Sequence, residues 1–278
     1  LEQGKGDIWD SGKIESDASQ WITYQGKTLK CNAPYYWKVK IDTNKGATNW
    51  SVPAFWITGL FNEADWQGQW IGLDRAAPGD SETRWSRLAA RYLRKEFAVK
   101  KSVKRATVHI AGMGLYELFI NGQRIGNQVL APAPTDYRKT ILYNTYDVTS
   151  LLQTENAIGV TLGNGRFYTM RQNYKPYKIP TFGYPKLRLN LIVEYADGSK
   201  ETIATNTSWK LTTEGPIRSN NEYDGEEYDA RKELGAWTQT GYDDKNWMPA
   251  QRVSIPSGTL RAHVVVDSSN FIWIVNAT

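Results

Sequence analysis

A chain of 278 residues that is 40% hydrophobic and 23% charged can build ordinary globular cores, which excludes a disordered tail. Its net charge of +5 is diffuse: the nearest basic run, residues 99–105 (VKKSVKR), lies between two strand-like segments and reads as a solvated loop, so no nucleic-acid partner is expected. One cysteine, Cys31, and two scattered histidines, His109 and His263, offer no internal disulfide and no zinc spacing, and no run approaches the roughly 18 apolar residues of a membrane span.

The N-terminal LEQGKGDIWD has neither a methionine nor a signal-peptide core, and the first domain is expected to be incomplete. From there the chain alternates apolar and polar residues at strand period: YYWKVKI (35–41), YLRKEFAV (92–99), ATVHIAG (106–112), LYELFI (115–120), AIGVTL (157–162), LRLNLIVEY (187–195) and ETIATN (201–206). SRLAARYLRK (86–95) has some helical character, but its second half reads better as a strand. Asn121-Gly122 and ADGS (196–199) are hairpin signals, so neighbouring strands are expected to be antiparallel. With short spacings and no crossover helices, the class is all-β and the architecture a β-sandwich. A break near residues 59–84 separates residues 1–60, too short for a whole sandwich, from a second domain over 61–255, with 256–278 as a C-terminal linker or strand.

Aromatic residues are abundant, with 12 Trp and 16 Tyr; packing between sheets accounts for most, and sugar-facing surfaces would use the same rings. The short glycine turns GMG (112–114) and GNG (163–165) open no helix and do not suggest phosphate binding. The acidic stretch NNEYDGEEYDAR (220–231) brings Glu222, Asp224, Glu226, Glu227 and Asp229 close together. On one strand Glu222, Asp224 and Glu226 would share a face roughly 6.6 Å apart, near the spacing of about 6.5–9.5 Å used by inverting glycosidases. Side chains at i and i+2 project in parallel, however, and cannot flank a bond from opposite sides. The preferred role is structural: Glu227, Asp229 and Arg231 are expected on the other face, where Arg231 pairs with a carboxylate, and Glu222, Glu227, Asp229 and Arg231 are assigned to structural or interdomain contacts.

The ordered succession YYWKVKI, NWSVPAFWITGLF, DWQGQWIG, LRKEF, HIAGMGLYELFINGQRIG, LAPAPTDYRKTILYNTYDVTSLL, NAIGVTLGNGRFY and EYDGEEYDAR resembles the N-terminal accessory region of bacterial α-L-rhamnosidases. Two positions depart from the common family pattern, Arg166-Phe167-Tyr168 and the run Pro132 to Tyr137. The resemblance implies a fibronectin-type-III-like domain followed by a jelly-roll, galactose-binding-like sandwich. Both would lie upstream of an (α/α)₆ barrel that hydrolyses terminal α-L-rhamnosides and is not in this chain. It implies a periplasmic or extracellular setting, a rhamnose-containing glycan and the catalytic domain as partners, and a chain inactive by itself.

The rival reading is a carbohydrate-binding module capturing rhamnose or a related sugar, with calcium as an optional ligand. Its candidate residues are Asn127, Gln128 and Asp136 on one loop, and Asn173 and Tyr174, with Arg171 and Tyr177, on another. Calcium needs six to eight oxygens, and these loops hold few carboxylates. A standalone adhesion protein is the third and weakest reading.

Overall fold

Alternating β-branched and aromatic residues favour extended backbone, and the chain follows them. The computed structural model describes residues 5–17, 22–76, 88–169 and 182–263. These fall into two compact units, one within Leu1–Phe61 and the other Asn62–His263. Helical structure among the described residues is limited to single 3₁₀ turns, Glu63–Asp65, Thr149–Leu151 and Ala230–Lys232.

In the first unit, β1 (Pro34–Trp37) pairs antiparallel with β4 (Ala54–Ile57), and β2 (Asp42–Thr43) with β3 (Gly46–Ala47). Tyr35 faces Trp56 across the pair with their rings stacked 5.1 Å apart. The expected strand 35–41 stops at Trp37 because hydroxyl groups take over its ladder: Val39 N–H donates to Ser51 Oγ at 3.0 Å and Ile41 N–H to Thr48 Oγ1 at 3.0 Å.

The second unit is a jelly-roll β-sandwich. Its strands are β5 (Ile71–Gly72), β6 (Arg91–Ala98), β7 (Val103–Met113), β8 (Leu115–Ile120), β9 (Gln123–Ile125), β10 (Thr140–Asp147), β11 (Glu155–Gly163), β12 (Lys186–Tyr195), β13 (Lys200–Ala204), β14 (Lys210–Thr212), β15 (Ile217–Asn221), β16 (Gly225–Tyr228), β17 (Met248–Pro249), β18 (Gln251–Arg252) and β19 (Thr259–Ala262). One sheet has the order β18-β5-β12-β7-β10-β19, with β13 also on β12; the facing sheet has the order β17-β14-β6-β11-β8-β9. Val108, Ile110, Leu189, Leu191 and Val193 from the first sheet meet Leu93, Leu118, Ile158, Val160 and Leu211 from the second in one buried core. Full burial of each such side chain is worth about 1.5–3 kcal/mol, which is what holds the two layers face to face.

Asn121 and Gly122 take φ values of 51° and 83°, the left-handed pair that a two-residue hairpin between β8 and β9 requires. ADGS closes the β12–β13 hairpin, with Gly198 N–H donating to Tyr195 O at 3.0 Å. Three expectations change. The antiparallel rule has an exception in β19, which lies parallel to β10 with Thr259 opposite Thr140. The basic run is not all loop: its residues 103–105 begin β7, where Arg105 pairs with Glu194 across β12 at 2.9 Å. The acidic stretch is a hairpin rather than a single strand, because the Asn221 side-chain oxygen accepts from Tyr223 N–H and Asp224 N–H at 2.9 Å each and folds the chain back at Gly225, φ +77°.

Candidate functional site at one end of the sandwich

Sheet register brings several loops to the same end. Met113 at the end of β7 lies opposite Lys186 at the start of β12. Gly163 at the end of β11 lies opposite Leu115 at the start of β8, and Leu162 lies opposite Arg91 at the start of β6. The loop after β9 runs back along β8 to this end, where Tyr116 N–H donates to Ala131 O at 2.8 Å.

The acidic hairpin is fastened here by amide chemistry. Asn164 N–H donates to Asn220 Oδ1 at 2.6 Å, and Asn164 Nδ2 donates to Leu88 O at 2.6 Å and to Asn220 O at 2.9 Å. A Cβ on Gly163 would stand 2.8 Å from Asn220 Oδ1, so a glycine lets the hairpin close onto the strand end. Ala90 N–H donates to Ile217 O at 3.0 Å, and Ile217 N–H to the Tyr92 hydroxyl at 3.2 Å. Burial pushes the Tyr92 phenol up to about 12, so it remains a neutral anchor at ordinary pH.

Above this base, Arg166 reaches Glu222 at 3.4 Å and the Tyr223 hydroxyl at 3.3 Å. Tyr137, buried and edge-on to Phe167 and Phe182 at 5.2 Å each, has its phenol pushed up to about 12, first by burial and then by the charge of Glu222. The loops holding Asp136, Arg166 and Glu222 thus converge.

Two of the acids, Asp229 and Asp136, are held as anions by arginine partners. Arg231 donates to both Asp229 oxygens at 2.8 Å, and that hydrogen bonding holds the Asp229 carboxyl at about 2. Asp229 also caps the Ala230–Lys232 turn through Arg231 N–H at 3.1 Å. Asp136 is paired with Arg138 at 3.0 Å, which lowers its pKa. Asp224 accepts from Asn221 Nδ2 at 3.0 Å. A glycosidase general acid needs a raised pKa, and Asp136 and Asp229 shift the other way.

The acidic residues divide differently from the single-strand reading. Glu222 and Asp224 sit in the turn. Glu226 and Glu227 lie on β16 opposite Asn220 and Ser219. Arg231 belongs to the 3₁₀ turn that Asp229 caps, so the hairpin and turn remove the common strand face expected for Glu227, Asp229 and Arg231. Of the proposed sugar-reading residues, Asn127 is exposed, and Gln128 accepts from the Tyr146 hydroxyl at 2.9 Å. Asn173 and Tyr174, with Arg171 and Tyr177, lie outside the described residues. Among the described residues no three His, Cys, Asp or Glu side chains gather as metal ligands, and the one carboxylate of the 126–139 loop, Asp136, is taken by Arg138.

Sequence reading missed Asn164 and Asn220 as the fastening pair. Their signal was an asparagine at the mouth of both the GNG turn and the acidic hairpin, but only the fold shows that the two meet.

Comparison with known proteins fits this architecture. Residues 101–267 match the family described as α-L-rhamnosidase N-terminal domain, and residues 1–62 match one described as Rha78A-like, N-terminal immunoglobulin domain. The first-unit match is to an immunoglobulin domain, which supports the expected fibronectin-type-III-like β-domain in part. An α-L-rhamnosidase of Formosa agariphila is 39% identical over 89% of this chain and 28% of its own length. One from Alteromonas sp. is 34% identical over 91% of this chain and 28% of its own length. Among solved structures, the α-L-rhamnosidase from Dictyoglumus thermophilum aligns with a TM-score of 0.79 at 40% identity, over 95% of this chain and 30% of its own. The native enzyme from Aspergillus terreus aligns with a TM-score of 0.78 at 34% identity, over 88% of this chain and 28% of its own. The chain therefore spans less than a third of the length of these relatives. With a sandwich of matching architecture and a match over most of its second unit, the chain belongs to the α-L-rhamnosidase N-terminal domain family.

Proposed function

We propose that this chain is the non-catalytic N-terminal β-region of an α-L-rhamnosidase, whose complete polypeptide hydrolyses terminal α-L-rhamnosides of plant-type glycans in the periplasm or outside the cell. The observation that carries the reading is the match to the N-terminal domain family combined with coverage of under a third of each rhamnosidase relative. The acids support it, since Glu222, Asp229 and Asp136 are committed to arginines. Groups tied up in this way are suited to orienting a surface rather than to moving a proton.

Within that role, Glu222 and Glu227 of the acidic hairpin, with Asp229 and Arg231 of the 3₁₀ turn that follows it, face the rest of the enzyme. Glu226 has no ion-pair partner among the described residues, and its exposed carboxylate suits a cationic surface on the catalytic portion. A sugar-capturing role for the sandwich is less well supported: Gln128 Oε1 is bonded to Tyr146 and Asp136 to Arg138, which withdraws two of the groups that would read hydroxyls.

A chromogenic α-L-rhamnoside separates the readings. This chain is expected to give no turnover, and the complete polypeptide to give turnover that Glu222→Gln in this segment does not abolish. Turnover by the chain alone, lost in Glu222→Gln, would overturn the accessory assignment.

A further inference from the structure

Residues 126–131 form a loop whose two least polar side chains point outward: Val129 is 81% exposed and Leu130 is 70% exposed. Leu130 also takes φ +59°, a left-handed conformation that a residue with a branched side chain seldom adopts. Such strain persists only where the surroundings over-determine the backbone.

Here they do. Arg124 donates to Gly126 O at 3.2 Å and to Gln128 O at 2.7 Å. The Tyr146 hydroxyl donates to Gln128 Oε1 from below, and Asn144 Nδ2 donates to the hydroxyls of Tyr146 at 3.0 Å and Tyr116 at 2.7 Å. Ala131, the far end of the loop, is buried and takes the Tyr116 N–H. The loop is thus pinned on its inner side while its apolar tip stands in solvent.

We propose that Val129 and Leu130 form a preorganised apolar knob that docks into an apolar recess on the catalytic portion of the same polypeptide. This rests on the accessory-region reading above. More than two thirds of the length of the rhamnosidase relatives lies outside the part this chain matches, which supplies the partner surface. The knob shares its end of the sandwich with the acidic hairpin, since Ala131 bonds Tyr116 while the adjacent Leu115 lies opposite Gly163, against which Asn220 is packed. An apolar centre beside charged groups is the usual anatomy of a specific interface. A second copy of this chain is the poorer occupant, because a two-fold contact through this end would bring two acidic hairpins, each with Glu222, Asp224, Glu226 and Glu227 against one Arg218, to one interface.

Hydrogen exchange and two variants test the knob. In the complete polypeptide the amides of residues 128–131 are expected to exchange at least about tenfold more slowly than in this chain alone, a change equivalent to about 1.4 kcal/mol of local opening. Leu130→Gly, which suits φ +59°, and Leu130→Asp are expected to abolish that difference, while this chain carrying either variant keeps its cooperative unfolding. Equal loop exchange in the two wild-type forms overturns the knob. So does a concentration-dependent dimer of this chain, dispersed by Leu130→Asp, which would make a second copy the occupant. If the complete polypeptide hydrolyses rhamnosides while the loop shows no added protection, the knob fails and the accessory reading stands. If it shows no rhamnosidase activity, both fail.

Discussion

His109 lies on the outer face of the seven-stranded sheet, opposite Asn190 and Thr145 in register, with its Nδ1 2.9 Å from Thr145 Oγ1. Trp66 and Tyr143 stand edge-on to it at 6.4 and 6.2 Å, and the ring is fully buried. Burial, reinforced by the charge of Arg105, pushes its pKa down to about 3. The unfolded imidazole titrates near 6.5, so below that pH the unfolded state binds a proton that the folded state refuses. The resulting stability is complete above about pH 6.5 and is lost as pH falls toward 3, at up to about 1.4 kcal/mol per pH unit. Urea midpoints at pH 7 and pH 5 should therefore differ more for the wild type than for His109→Gln. Equal shifts would show that His109 is not the titrating group. In the sequence this histidine was merely one of two too scattered to hold a metal; its burial depends on Trp66, which lies 43 residues earlier and comes close only when the sandwich forms.

The element most dependent on one side chain is the segment 234–247, which lies on the outer face of the six-stranded sheet. Arg94 of β6 is almost fully buried and donates to Trp237 O at 2.9 Å, Gln239 O at 3.0 Å and Glu96 Oε1 at 2.6 Å, besides pairing with Asp244. Trp237, so held, packs edge-on to Tyr92 at 5.5 Å and Phe119 at 6.0 Å, and Trp247 joins it at 6.0 Å. Arg94→Ala strands the carboxylate of Asp244 and two carbonyls, and should cost about 3–5 kcal/mol. Glu96 is far more exposed, and Glu96→Gln should cost under about 1 kcal/mol. Urea denaturation of both variants checks the ranking, and near-equal losses would show that the clamp is not centred on Arg94. Strand periodicity was legible for β6, β8, β11 and β12 because their alternate residues enter an apolar core. It was not legible for β10, whose inward Asn144 is polar: Asn144 is satisfied there by Tyr116 and Tyr146, with His263 Nδ1 2.9 Å from its Oδ1. The acidic hairpin was misread for a related reason, since its reversal depends on what one asparagine side chain does rather than on any pattern of hydrophobicity.

At the scale of the whole molecule the two units differ in what can hold each together. Among the described residues of the first, Leu60 is the sole buried hydrophobic side chain, while Tyr36, Trp50 and Phe55 stay exposed. A unit of about sixty residues buries too small a share of its surface to be more than marginally stable without a well-formed core. The second unit has a continuous inter-sheet core from Ile71 to Ala250 and long ladders such as β7 with β12. This contrast makes the sandwich the autonomous folding unit. A fragment of residues 62–263 should melt in one cooperative transition within about 3 °C of the main transition of the full chain, a shift that corresponds to roughly 1 kcal/mol at this size. Residues 1–61 alone should show no cooperative transition. The imbalance in stability was not readable in the sequence, because aromatic residues are at least as frequent in residues 1–61 as in the rest of the chain and only the fold shows which rings are covered. An unfolded 62–263 fragment would mean that the sandwich draws part of its stability from outside those residues, and the assignment of independent folding to it would be wrong.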